Sequence, residues 1–589
     1  MFTTRPEIAG TFGVVASTHW IASQSGMAVL ERGGNAFDAA AAAAFVLHVA
    51  EPHLNGPGGD APIIVHDARS RTQHIVCGQG VSPADATIDA FRALDLDLVP
   101  GTGLLPAVVP GAFDAWCLML RDWGTWELSD VMAFAIGYAA KGIPIVPRIS
   151  AAIEQVRPLF EQEWRTSAAV FLPNGKTPPP GSLFARPTLA DTYSRLCREA
   201  TGTTREARID AARNAWYRGF VAAAIDRFCR DQAIMDTSGR RHRGLLTADD
   251  LAAWSAKIER PLTYDYHEYT VLKCGPWSQG PAFLQQLALL RGFDVGAMDP
   301  LGADFVHTVI EAAKLAFADR EAYYGDPNFV PVPLDILLSD AYAADRRALI
   351  GPQASMELRP GIVPGYTPIV DHDAAKRALV VGAGAGEPTV SRLGAVGGDT
   401  CHIDVIDRHG NMVSATPSGG WLQSSPVIPE LGFCLGTRGQ MFWLTPGLPN
   451  SLTPRKRPRT TLSPSFALRD GKPWMSFGTP GGEQQDQWSL IMFVRMVHHR
   501  MNIQQAIDAP SFHTEHWPSS FWPRVARPGR VVIEGRYGDA VLKSLQDRGH
   551  LAEKGEDWSE GRLSAARLEN GMMLAGANPR GMQGYAVGR

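Results

Sequence analysis

Residues 12–50 set the pattern of the chain's opening. "FGVVAST" is strand-like, a helix follows, and Gly33-Gly34-Asn35 is placed to end that helix before an alanine-rich run opens a buried second one. "NGPGGDAPIIV" (55–65) reads as a glycine turn leading into a buried strand. That turn either lies beneath a sheet or faces a ligand, and no Gly-Lys-Ser/Thr follows to make it a Walker loop. From about 110 to 350 the pattern is mainly helical, with apolar residues three and four apart in "VMAFAIGYAAKG" and "FVHTVIEAAKLAFADREAYYG". Residues 351–399 lose that periodicity and are rich in Gly and Pro, which in a compact protein marks a functional or mobile segment. Beyond it "TCHIDVID", a "RHGN" turn and "MVSATPS" make a hairpin, strands follow in "SFALRD" and "WMSFGT", and "QWSLIMFVRMVHHRMNIQQAIDA" reads as one helix. Helices layered over strands predict an α/β or α+β sandwich, and no repeat of 20–50 residues is visible.

Composition narrows the class. The 589 residues suit three or four domains, or one large layered fold with insertions. With 45% hydrophobic and 20% charged residues the chain reads as globular, and a net charge of −4 gives no field to draw in nucleic acid or anionic membrane. Seven cysteines without paired spacing point to a reducing compartment. The N-terminal residues show no basic segment followed by an apolar one, and the longest apolar run (39–50) is too short to span a bilayer. A cytoplasmic protein with no cofactor or metal is expected. His513 and His516 lack clustered ligands, and the basic run 455–459 reads as a local loop near an anionic substrate group rather than a nucleic-acid patch.

Candidate chemistry gathers at "LGAVGGDTCHIDV" (393–405). A threonine inside a chain is a poor nucleophile, whereas one at a chain start has its own α-amine as base, with an ordinary pKa of about 7.7–8.0. The Thr400 hydroxyl could attack the Asp399 carbonyl, shift the acyl group to oxygen, and leave a free amine after ester hydrolysis. Gly397 and Gly398 would permit the backbone conformation this needs. On these residues alone, Gly-Gly-Asp-Thr is more often a turn before a strand. Cys401 is the rival nucleophile, but strand alternation turns it away if Thr400 and His402 face the site. His402 reads as structural.

Five blocks in order carry a resemblance that covers nearly the whole chain: "VVASTHWIASQSGMAVLERGGNAFDAA", "NGPGGDAPIIV", "TCHIDVIDRHGNMVSAT", "RKRPRTTLSPSF" and "FGTPGGEQQDQ". Together they resemble the γ-glutamyltransferase family of N-terminal-nucleophile hydrolases. The resemblance implies an αββα sandwich built jointly by two subunits of one precursor, a large subunit 1–399 and a small subunit 400–589. These would form a heterodimer, with a dimer of heterodimers left open. It implies Thr400 as nucleophile, Ser418 as its hydroxyl partner, Thr460 and Thr461 as contacts to a substrate carboxylate, and Gly481 and Gly482 as oxyanion-hole donors.

The pattern breaks where the family grips a γ-glutamyl group. The arginine that holds the α-carboxylate falls on Gln79, give or take a residue. The segment carrying the aspartate for the α-amine reads Gln440-Met441-Phe442-Trp443, and a family asparagine falls on Gly420. A lost charged hydrogen bond in a dry site costs ~1.5–3 kcal/mol. The expected function is therefore an autoprocessing amidohydrolase or acylase acting on a small-molecule amide with a non-γ-glutamyl acyl group. Glutathione hydrolase or transpeptidase activity, an acyl-removing biosynthetic enzyme (including carbon–carbon cleavage), and an unprocessed binding protein are the alternatives.

Overall fold

A computed structural model describes residues 2–371 and 400–589. Strands β1 (Ile8–Gly10), β2 (Gly13–Ser17), β3 (Ala61–Asp67), β4 (Thr72–Gly78), β5 (Lys257–Glu259), β6 (Leu262–Tyr266), β7 (Tyr269–Lys273), β8 (Ile403–Asp407), β9 (Met412–Ala415), β10 (Ser465–Arg469), β11 (Lys472–Gly478), β12 (Ser564–Glu569), β13 (Met572–Ala577) and β14 (Tyr585–Gly588) form two seven-stranded sheets. One runs β14-β2-β8-β9-β3-β4-β5 and the other β1-β13-β12-β11-β10-β7-β6. Every ladder in both is antiparallel. Each sheet contains strands from both sides of residue 400. β8 lies between β2 and β9, pairing Ile403 with Ser17 on one side and with Ala415 on the other.

Helices α1 (Trp20–Glu31), α2 (Ala36–Ala50) and α3 (Ala112–Trp123) cover the first sheet, and α4 (Gly280–Leu290), α5 (Ala303–Tyr323) and α6 (Gln485–His499) belong to the layer over the second. A third core lies between the sheets and includes Val14, Ile64, Leu272, Ile406 and Phe466. The result is a four-layer αββα sandwich. The α1–α2 corner follows its sequence: Asn35 accepts hydrogen bonds from the Phe37 and Asp38 backbone, Asp38 reciprocates, and Gly33 takes φ +93°. All fifteen residues of α2 are buried, as expected for a helix apolar all round.

Two expectations change. The mainly helical stretch contains the β6–β7 hairpin, which edges the second sheet. The long C-terminal helix is two, because Arg500 adopts the left-handed conformation (φ 55°) and Asn502 caps a new helix, Ile503–Asp508.

The glycine turn does lie beneath chain, and the chain above it is the functional loop. Asn55 bridges to Gly419, Gly58 to Leu435 and Asp60 to Ser418. A Cβ at Gly56 would sit 2.2 Å from the Gly420 carbonyl oxygen, one at Gly58 2.1 Å from that of Cys434, and one at Gly59 2.1 Å from that of Ser418. No residue but glycine fits. Gly58→Ala should therefore lower the thermal midpoint, at the cost of roughly 1–3 kcal/mol seen for overpacking. Gly137→Ala, in a helix with nothing within 4 Å of the added methyl, should raise it by roughly 0.5–1 kcal/mol. Equal midpoints for the two variants would show that the backbone contact is not tight.

Candidate active site

Strand parity decides what Thr400 faces. Ile403 and Val405 point into the core beneath α1–α3, and Ile406 into the core between the sheets. Continued backwards, Cys401 joins the helix-side core, which leaves Thr400 and His402 on the inter-sheet face. Thr400 forms a bridge with Ser418 and its Oγ1 donates to Ser418 Oγ at 3.1 Å; both residues are buried. Asp399 lies outside the described residues, so the geometry of the 399–400 bond is not part of this site.

Cys401 and His402 have structural partners. Cys401 Sγ donates to Glu51 Oε2 at 3.0 Å, and burial, then the nearby Glu51 carboxylate, push its thiol well above the usual range. Glu51 also accepts from Thr18 and Gln583, yet burial raises its carboxyl. His402 lies between Thr416 Oγ1 (2.9 Å) and Asp404 Oδ1 (3.1 Å), and Asp404 accepts from Ser564 of the facing sheet at 2.8 Å. Gly478, ending β11, is packed onto the His402 ring: a Cβ there would come within 2.3 Å of it. The ring thus braces one sheet against the other beside Thr400.

From Gly478 the chain runs directly into Thr479-Pro480-Gly481-Gly482. Gly481 has φ +132° and Gly482 φ +52°, and a Cβ on Gly481 would lie 2.5 Å from the Trp488 ring. The Gly482 carbonyl accepts from Gln279 Nε2 at 3.0 Å. Thr460 is tied to the segment that carries Gln279, through its N–H to the Trp277 carbonyl (2.9 Å) and its bridge to Ser278. Thr461 Oγ1 is buried without a hydrogen-bond partner. The segments that hold these pairs are cross-linked. Ser463 N donates to Gln485 Oε1 (3.0 Å), its hydroxyl to Asp486 Oδ1 (2.8 Å), and Lys273 pairs with Asp486 at 2.7 Å. Burial drives both members of that pair toward neutrality, and their contact opposes it.

The positions expected to read the acyl group divide. Gln79, just past β4, sends Nε2 to Asp60 Oδ1 at 3.2 Å. Gln440 bonds the Gly101 carbonyl (3.1 Å) and accepts from Trp522 N (3.1 Å). Phe442 sits in a satellite core with Phe91, Leu105 and Leu452. Trp443 packs with Leu98 and Leu448, and the Arg524 guanidinium stacks 3.8 Å from its ring centroid. Gly420 has φ +65°, and a Cβ there would lie 2.9 Å from the Gly58–Gly59 backbone, so the glycine loop itself excludes an asparagine. Past exposed Arg455, the basic run is internal: Arg457 pairs with Glu259 (2.6 Å) and Asp326 (2.8 Å), and Arg459 with Glu321 (2.5 Å).

Sequence reasoning passed over Asp60 and Arg438, which pair at 3.2 Å behind Ser418. Burial raises the Asp60 carboxyl, and Arg438 opposes the shift. The signal for Arg438 was present: a single charge between glycines in the otherwise uncharged run "LGFCLGTRGQMFWL". Among the described residues His307, Glu311 and His550 bring three metal-type ligand atoms within 4.8 Å of one another. Lys314 (2.6 Å) and Arg359 (3.3 Å) already pair with Glu311, and both would repel a metal ion.

A family model described as Gamma-glutamyltranspeptidase matches residues 22–588. The chain is similar to the Glutathione hydrolase-like YwrD proenzyme of Bacillus subtilis (strain 168), 32% identical over 589 residues and covering 99% of each protein. A solved structure titled "Structure of LmbA2991HD" is similar at TM-score 0.94 and 56% identity, with all of both chains covered. The cephalosporin acylase from Bacillus halodurans is similar at TM-score 0.83 and 28% identity, over 100% of this chain and 98% of that one.

Two outcomes follow from the geometry. Treated with iodoacetamide while folded, the protein should be alkylated at half-buried Cys197 well before buried Cys401, as peptide mass spectrometry would show. Gly481→Val forces a branched side chain into φ +132° and against Trp488, so it should lower kcat by about 10²-fold or more if this turn supplies oxyanion donors. Unchanged turnover would place the donors elsewhere.

Proposed function

The chain belongs to the gamma-glutamyltranspeptidase family and has the αββα fold of N-terminal-nucleophile hydrolases, and from that premise we propose that it is an autoprocessing amidohydrolase acting through Thr400. The observation that carries this reading is the pairing of Thr400 with Ser418 at 3.1 Å on the inter-sheet face, with Cys401 turned into the opposite core. Attack of the Thr400 hydroxyl on the Asp399 carbonyl would form an ester and free the α-amine. Water would then hydrolyse that ester, leaving subunits 1–399 and 400–589 interleaved in both sheets. In the mature protein the α-amine takes the hydroxyl proton as Oγ1 attacks the substrate's acyl carbon. The N–H groups of Gly481 and Gly482 would receive the oxyanion, the α-ammonium would pass its proton to the substrate's leaving nitrogen as the C–N bond breaks, and water would hydrolyse the acyl-Thr400 ester.

The acyl group is read as one other than γ-glutamyl. Phe442 and Trp443 are spent on packing, and the Arg524 guanidinium covers the Trp443 ring, which removes it as a seat for an ammonium. The relative named as a cephalosporin acylase is consistent with this reading, and the one named glutathione hydrolase-like favours a second: hydrolysis of a γ-glutamyl amide. All seven cysteines are unpaired, which supports a reducing, cytoplasmic setting.

Intact mass spectrometry of purified protein should find fragments 1–399 and 400–589, with Thr400→Ala remaining a single chain. The mature protein should hydrolyse its best simple N-acyl amide with kcat/KM at least about tenfold above that for a γ-glutamyl amide, the worth of one charged contact. Cleavage before Cys401, full activity in uncleaved protein, or glutathione as the preferred substrate would each defeat the proposal.

A further inference from the structure

Among the described residues, Arg438 Nη2, Gln79 Oε1 and Asn55 Nδ2 are buried polar atoms without a hydrogen-bond partner. Their residues are at most 3% exposed. A buried donor left unmatched is costly, most of all on a charged group, and such atoms in a native fold call for an explanation.

All three are attached to the framework that holds Ser418. Asp60 pairs with Ser418 through two backbone hydrogen bonds (2.7 and 3.0 Å). Its carboxylate then divides its oxygens: Oδ1 accepts from Gln79 Nε2 and Gly80 N, and Oδ2 from Arg438 Nε, each at 3.2 Å. Gln79 and Arg438, 359 residues apart, are thus side by side on one carboxylate. Held through Nε, the guanidinium leaves its buried Nη2 without a protein acceptor. That nitrogen lies by Gly419, the residue after Ser418, where an added Cβ would be 3.5 Å away. Asn55 fixes its own orientation by accepting from Gly56 N (2.9 Å) and bridges to the same Gly419, leaving its amide donor unmatched. Trp421, with Met441 and Phe521, makes an apolar wall beneath the guanidinium, 5.6 Å from ring centroid to Cζ.

We propose that Arg438, set by Asp60 and assisted by the Asn55 amide, anchors a carboxylate carried on the acyl half of the substrate. The preferred substrates are then amides of dicarboxylic or oxo acids with no amino group beside that carboxylate. An ammonium would find both Asp60 oxygens engaged and the Trp443 face covered by Arg524. A guanidinium edge and an amide N–H are a matched pair of donors for a planar carboxylate in a water-poor site. This rests on the reading of Thr400 as nucleophile, because Thr400 is what places the acyl group beside Ser418.

The test uses the mature protein and oxalyl, succinyl and glutaryl 4-nitroanilides, each beside an uncharged acyl anilide of equal length. The best carboxyacyl substrate should exceed its neutral counterpart by at least tenfold in kcat/KM. Arg438→Gln should abolish that preference, lowering kcat/KM for the carboxyacyl substrate at least about tenfold more than for its neutral counterpart, and Arg438→Lys should restore part of it. Because Arg438→Gln leaves Asp60 unpaired, Asp60→Asn combined with Arg438→Gln keeps the site neutral and should behave alike. Calorimetry with oxalate, succinate and glutarate provides a readout independent of turnover: at least one should bind the wild type, and Arg438→Gln should weaken that binding at least tenfold. Arg438-dependent binding without hydrolysis of any anilide would uphold the anchor and overturn the catalytic reading. Hydrolysis with equal or better rates on neutral acyl groups, or equal losses on both classes in Arg438→Gln, would overturn the anchor and leave the catalytic reading standing.

Discussion

Close contact between three stretches of bare backbone underlies the site. Residues 55–60, 418–420 and 434–436 approach so nearly that carbonyl oxygens occupy the space where side chains would begin. Such contact is open only to glycine. It fixes Ser418 relative to Asp60, and through Ser418 the position of Thr400 ahead of β8. It also explains why residue 420 is a glycine, since any side chain there would press on the backbone of Gly58 and Gly59.

The protein also buries several charged side chains. Arg320, Arg459 and Arg524 converge on Glu321, whose carboxyl burial would raise but whose three cations together hold it below its usual range. Arg320 also reaches Glu483 at 3.5 Å, next to Gly482. Lys273 and Asp486 lock the 460–463 segment to the helix that follows the glycine pair. Breaking one partner of such a pair leaves the other as an uncompensated buried charge, so these networks impose geometry more than they add net stability. The glycine turn and the Thr460–Thr461 pair are thereby held from behind by charged side chains.

The halves before and after residue 400 cannot be independent domains in the folded chain. β8 is flanked by β2 and β9, and β7 pairs with β10, so cutting the backbone before Thr400 would leave every ladder intact. A fold of this kind can lose one peptide bond and keep its core.

Much of this was legible along the chain. The Asn35 cap, the buried alanine helix, the 403–415 hairpin and the glycine turn are local in origin, set by capping, periodicity and backbone freedom. Strand parity at 400–402 correctly turned Cys401 away, because a period of two needs no tertiary knowledge. Three things were decided only by the tertiary structure. The β6–β7 hairpin, in a stretch that otherwise reads as helical, is stabilised by its ladder to β10, almost 200 residues away. Phe442 and Trp443, which composition alone cannot distinguish from pocket lining, are taken up by a satellite core and by Arg524. Asp60 and Arg438 are ordinary charges 378 positions apart until the sheet brings them to 3.2 Å beside Ser418. Periodicity records which face of its own element a residue occupies. Which distant charge meets it there depends on how the layers close, and that information is carried by no local segment.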